Sequence, residues 1–98
     1  MTHPTTLDPT PTDGYEALLA EATALRHEQL RGLPEDDDDP VVAAQRAVLH
    51  QTLGEIAGAH RRLAEGTFGT CTGCREPIPP ARLELRPWAA TCVACVGR

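Results

Sequence analysis

The sequence predicts a mainly α-helical chain: an antiparallel two-helix coiled-coil hairpin with an acidic tip, followed by a small domain built around four cysteines. Three observations predict it. Val42, Leu49, Ile56 and Leu63 recur every seven residues, with Leu53 and His60 at the alternate seam positions. Turn-forming and acidic residues interrupt the helical pattern between Gly32 and Pro40. Beyond the helical pattern lie two Cys-x2-Cys pairs. With 98 residues, the chain has room for one thin core.

The elements follow in order. Residues 1–12 are dominated by Thr and Pro with a single Leu, too little apolar surface to bury, and are expected to be a disordered tail. Residues 13–66 are assigned to the hairpin. Asp13, with Glu16 three positions later, fits a capping-box helix start. Tyr15, Leu18, Ala22, Leu25 and, less regularly, Leu33 form the expected apolar stripe of the first helix. Gly32 and Pro34 end it, and residues 34–40 form the tip. Asp39 suits an N-cap and Pro40 the first position of the second helix, where its missing N–H costs nothing. Arg46 is the polar exception at the seam. Gly66 and Gly69 close the second helix, and residues 67–98 form the cysteine domain.

Charge narrows the function classes. The net charge is −5, which argues against a chain whose main partner is the nucleic-acid backbone. One Phe, one Trp and one Tyr are too few for a base-stacking surface. The charge is divided along the chain. Residues 1–40 carry ten acids against Arg26 and Arg31, whereas residues 41–98 carry four acids against seven arginines. No apolar run reaches the roughly 18 residues of a membrane span, and Met1–Thr12 lacks the basic start and apolar stretch of a secretory signal. The expected location is therefore the reducing cytoplasm.

Cys71-x2-Cys74-x17-Cys92-x2-Cys95 falls within the spacing of a four-cysteine zinc site. Two disulfides or four free thiols are the competing readings, and a reducing compartment favours the metal. Two short loops would each bend a pair of thiolates onto one ion, and four thiolates leave no open coordination position, so the zinc is structural. Pro77, Pro79, Pro80 and Pro87 are expected to give the intervening stretch a turn-rich, non-helical path. Trp88, Ile78, Leu83 and Leu85 are expected to supply the apolar core around it. His27 and His50 are read as solvent-facing and His60 as close to the seam.

These residues carry a family resemblance. Gly66-Thr-Phe-Gly-Thr-Cys71, Cys74, Ile78-Pro79, Arg82-Leu83-Glu84, Arg86-Pro87, Ala89, Cys92-Val93 and Cys95 together resemble the C4 zinc finger of the DksA/TraR family over about a third of the chain. Arg75 stands where the family usually has Gly. The resemblance implies a bacterial transcription regulator that binds RNA polymerase directly and not DNA, with the hairpin tip inserted into the secondary channel. Two aspartates three positions apart, followed two residues later by alanine, act at that tip. Asp36, Asp39 and Val41 occupy those places here. Arg82 and Arg86 match finger positions at the channel rim where the stress nucleotide ppGpp binds, but Glu55 stands where a lysine is expected, and an acid there repels a polyphosphate.

No bond is made or broken by the chain in this reading. From charge alone, Glu35–Asp39 is a solvated turn whose last residue caps a helix. Two other classes stay in view. One is a zinc-stabilised adaptor with a different protein partner. The other, ranked below it, is a nucleic-acid-binding finger using Arg61, Arg62, Arg75, Arg82 and Arg86. A Gre-like RNA-cleavage factor would need a tip that holds magnesium.

Overall fold

The computed structural model of the chain describes residues 14–35 and 38–96. The predicted N-terminal tail, Asp13 and the tip residue Asp36 lie outside them.

Helix α1 runs from Tyr15 to Gly32 and helix α2 from Pro40 to Glu65, packed against each other as a hairpin. Helix α2, at 26 residues, is about 39 Å long at 1.5 Å per residue. Its ends are built as the sequence predicts. The Asp39 carboxylate accepts from the Val41 N–H at 2.9 Å, Pro40 fills the first turn, and Gly66 closes the helix at φ 81°. A side chain there would meet the steric cost of the left-handed region. Helix α1 starts on Gly14, also left-handed, with no side-chain cap.

The buried face of α1 differs from the predicted stripe. Leu19 is fully buried, while Leu18 and Leu25 are 44% and 46% exposed. Half-buried Tyr15, Ala22, Arg26 and Leu30 complete the true face. Both sets obey spacings of three and four residues, and with Leu18 and Leu19 adjacent the pattern cannot choose between them. Across the seam, α2 contributes Val42, Leu49, Leu53, Ile56, His60 and Leu63, all buried or half-buried. His27 and His50 are exposed.

The finger is threaded through short backbone links. Ile78 N–H donates to the Gly69 carbonyl at 2.7 Å and Cys71 N–H to the Glu76 carbonyl at 2.8 Å, around an isolated Thr70–Pro77 bridge. The sequence predicts a non-helical path between the cysteine pairs, but a short helix, α3, spans Pro80–Leu85 there. Pro80 sits in its first turn, the one place where proline's fixed φ and missing donor favour a helix. Leu83 on α3 is fully buried, whereas Leu85, two positions on and therefore on the opposite face, is 88% exposed. Leu85 is thus not part of the core.

One core joins the two halves. Leu19, Ile56 and Ala59 from the hairpin cluster with Phe68, Cys71, Ile78, Leu83 and Ala89 from the finger. The Tyr15 and Phe68 rings meet at 4.9 Å between centroids, tilted by 46°. Half-buried Trp88 lies under the Arg26 guanidinium, 4.9 Å from the ring centroid. The finger therefore locks the foot of a rod whose extents are 59 × 29 × 21 Å. No helix among the described residues is long and apolar enough to cross a membrane.

Candidate metal centre and acidic tip

The four cysteines reach one point from two knuckles. In the first, the Gly73 and Cys74 N–H groups point at Cys71 Sγ, at 3.3 and 3.5 Å, and the Arg75 N–H closes the turn onto the Cys71 carbonyl at 2.9 Å. In the second, a 3₁₀ turn at Val93–Cys95 brings the Cys95 N–H to the Cys92 carbonyl at 3.1 Å. A bond of 2.9 Å from the Thr72 N–H to the Ala90 carbonyl ties one knuckle to the other.

All four Sγ atoms lie within 4.8 Å of one another. None is in a disulfide. Cys74 and Cys92 Sγ stand 3.7 Å apart. Tetrahedral zinc with Zn–S bonds of about 2.3 Å places its ligands about 3.8 Å apart, so that spacing suits a shared ion and not an S–S bond. The donor set fits one structural zinc.

The electrostatics of the metal-free thiols point the same way. N–H donation from Cys74, then Cys92 and Gly73, brings the Cys71 thiol down to about 6 despite its burial. The neighbouring Cys71 and Cys92 side chains, with burial, push Cys95 up to about 12. Cys74 is also raised: the Glu76 N–H favours its thiolate, but burial and the Cys71 and Cys92 sulfurs outweigh it. Four sulfurs in so small a volume cannot all carry charge without a cation among them. When bound, zinc supplies that charge and a crosslink between the knuckles.

Two residues shape this centre in ways that spacing does not reveal. A Cβ on Gly73 would stand 3.1 Å from Cys95 Sγ and 3.2 Å from its Cβ, so the second knuckle approaches the first through the missing side chain. Arg75 is the non-glycine residue with positive φ, at 69°, among the described residues. It occupies the left-handed position that ends the first knuckle.

The tip stands at the far end of the hairpin. Asp39 and Val41 are both exposed, Val41 by 64%. One Asp39 oxygen accepts from the Val41 N–H, so the carboxylate caps the start of α2. Asp36 lies outside the described residues. Arg46, the seam exception, donates to the Pro34 carbonyl at 2.8 Å.

At the foot, Arg82 and Arg86 line one concavity with Glu55, Arg61, Arg62 and Trp88. Arg82 is already occupied structurally, its Nε donating to the Thr91 carbonyl at 2.8 Å. Arg62 reaches the Trp88 and Ala89 carbonyls, each at 3.4 Å. Burial, and secondly Arg61, make its charged form less favourable than usual, while Glu65 opposes the shift. Periodicity gave no sign that Arg26 and Arg62 would brace the Trp88 segment.

Comparison with known proteins matches these features. Residues 66–98 match the prokaryotic dksA/traR C4-type zinc finger. A stretch of 44 residues, 45% of the chain, is 43% identical to an uncharacterised protein of Aquifex aeolicus. The chain covers 30% of that relative's length. The structure of transcription factor DksA2 from Pseudomonas aeruginosa superposes with a TM-score of 0.63 at 25% identity, covering 96% of this chain and 86% of that one. The finger of this chain is thus of the dksA/traR C4 type, and the hairpin that carries its four-cysteine centre is similar in fold to transcription factor DksA2.

Proposed function

We propose that the chain is a transcription regulator that binds bacterial RNA polymerase and inserts its acidic tip into the secondary channel. The observation that supports this reading is the capping carboxylate of Asp39 at the far end of a slender hairpin whose foot carries a four-cysteine centre. Carboxylates on such a rod suit a basic, metal-containing channel, through electrostatic steering and hydrogen bonds to Arg or Lys. Asp36 and Asp39 would make those contacts, with Val41 beside them. Arg86 and its neighbours would meet the channel rim. Glu55 in the arginine-lined concavity disfavours a polyphosphate there.

The test is binding to core polymerase and transcription in vitro, comparing the parent chain with Asp36→Asn/Asp39→Asn. Binding that a known secondary-channel factor competes away, together with transcription effects lost in the variant, supports the reading. Tight binding with an undiminished effect in the variant sinks the role of the tip. No binding at micromolar protein transfers the fold to an adaptor with another partner.

A further inference from the structure

We infer that Arg46 is the positioning residue that aims the tip. The inference rests on the reading of the tip given above. Arg46 occupies a seam position of α2 where the heptad pattern calls for an apolar side chain, and it is half-buried there. Helix α1 ends at Gly32, two residues before the group that Arg46 reaches. The guanidinium reaches across twelve residues to the Pro34 carbonyl at 2.8 Å. The Leu33 N–H still closes the end of α1, onto the Leu30 carbonyl at 3.2 Å. The Pro34 carbonyl is the first group beyond that closure to be tied back to the hairpin.

The described residues on the two flanks of the tip, Pro34 and Asp39, are therefore each tied to α2, by different chemistry. On its leaving side, the Asp39 carboxylate fixes the loop to the start of α2. On its entering side, Arg46 fixes it from the α2 flank. The residues between the two pins carry the acids Glu35, Asp36, Asp37 and Asp38. A permanent cation at the base of such a cluster also offsets part of its self-repulsion and complements the negative end of the α1 dipole. A lysine can supply the charge and one donor, though not the planar fork. An apolar residue of similar length supplies neither.

The experiment compares Arg46→Met, which keeps an aliphatic stem, with Arg46→Lys. The first readout uses the zinc-loaded chain alone: the rate of cleavage after Glu35 by a glutamate-specific protease, with products mapped by mass. Arg46→Met is expected to be cut there at least threefold faster than the parent at an unchanged unfolding temperature, and Arg46→Lys to be cut close to the parent rate. The second readout is transcription at saturating protein. There Arg46→Met is expected to lose most of the effect while its affinity for core polymerase changes less than threefold, and Arg46→Lys to recover it. Parent-like cleavage and transcription in Arg46→Met would overturn the inference. So would an equal loss of effect in Met and Lys variants. If Asp36→Asn/Asp39→Asn is silent as well, the reading of the tip has failed. If the aspartate variant is impaired and Arg46→Met is not, only the role of Arg46 has failed.

Discussion

Replacing Arg75 by glycine should make the protein more stable. Its backbone is left-handed, at φ 69°, and closes the first knuckle through its own N–H onto the Cys71 carbonyl at 2.9 Å. An L-residue in that region costs roughly 1–2 kcal/mol, which glycine avoids. Glycine also loosens the unfolded chain, a cost of about 0.5–1 kcal/mol. The net gain is therefore about 0.5–1 kcal/mol, or roughly 2–8 °C in Tm for a domain of this size. The knuckle hydrogen bond is made by backbone and survives the change. The assay is thermal unfolding of the zinc-loaded chain at fixed zinc concentration, with Arg75→Ala as the control. Alanine removes the exposed side chain but keeps the Cβ, so it should not raise Tm. The reasoning is refuted if Arg75→Gly unfolds at or below the parent temperature, or if Arg75→Ala matches it.

Three further outcomes are expected. Gly73→Ala places a Cβ 3.1 Å from Cys95 Sγ. The sulfur must give by a few tenths of an ångström, so zinc affinity in competition with a chromophoric chelator should fall about fivefold to a hundredfold, an overpacking cost of roughly 1–3 kcal/mol. Leu19→Ala should cost about 3 kcal/mol in chemical unfolding, because Leu19 is fully buried in the shared core, while Leu18→Ala at the next, exposed position should stay within about 0.5 kcal/mol. Zinc uptake at pH 7.5 should release fewer than four protons in weakly buffered solution. The Cys71 thiol, brought down to about 6, is already ionised there, whereas Cys95, pushed up to about 12, must still lose its proton. Affinity should thus fall as pH falls, and more steeply below about pH 6, where Cys71 also takes up a proton. A count of four at pH 7.5 would contradict that assignment.

What the sequence revealed, and what it hid, follows from the physics of each element. Both ends of α2 were legible because caps are local: an Asp-Pro start and a Gly stop act through one or two residues. The cysteine cluster was legible because ligand spacing is set by the size of the metal polyhedron. The face of α1 was not, since adjacent leucines at 18 and 19 fit either register until the finger's Phe68 and Ile78 choose Leu19. Helix α3 was hidden by its prolines, which mark turns and helix starts alike. The partnership of Arg46 with Pro34 depends on where α1 stops opposite α2, a long-range fact that periodicity does not contain. Family resemblance covered the finger and indicated the hairpin, but the chain's own deviations, Arg75 and Arg46 among them, could be interpreted only from the fold.

The length of the rod changes how its charge should be understood. Its long extent is 59 Å, whereas the Debye length at physiological ionic strength is about 8 Å. The carboxylates at one end and the arginines at the other are thus screened from each other several times over. A net charge of −5 describes neither end. Each end responds to its own surroundings, so a partner can be basic where it receives the turn and acidic where it meets the foot without either contact weakening the other. Raising the salt should then erode the two contacts independently, each with its own slope.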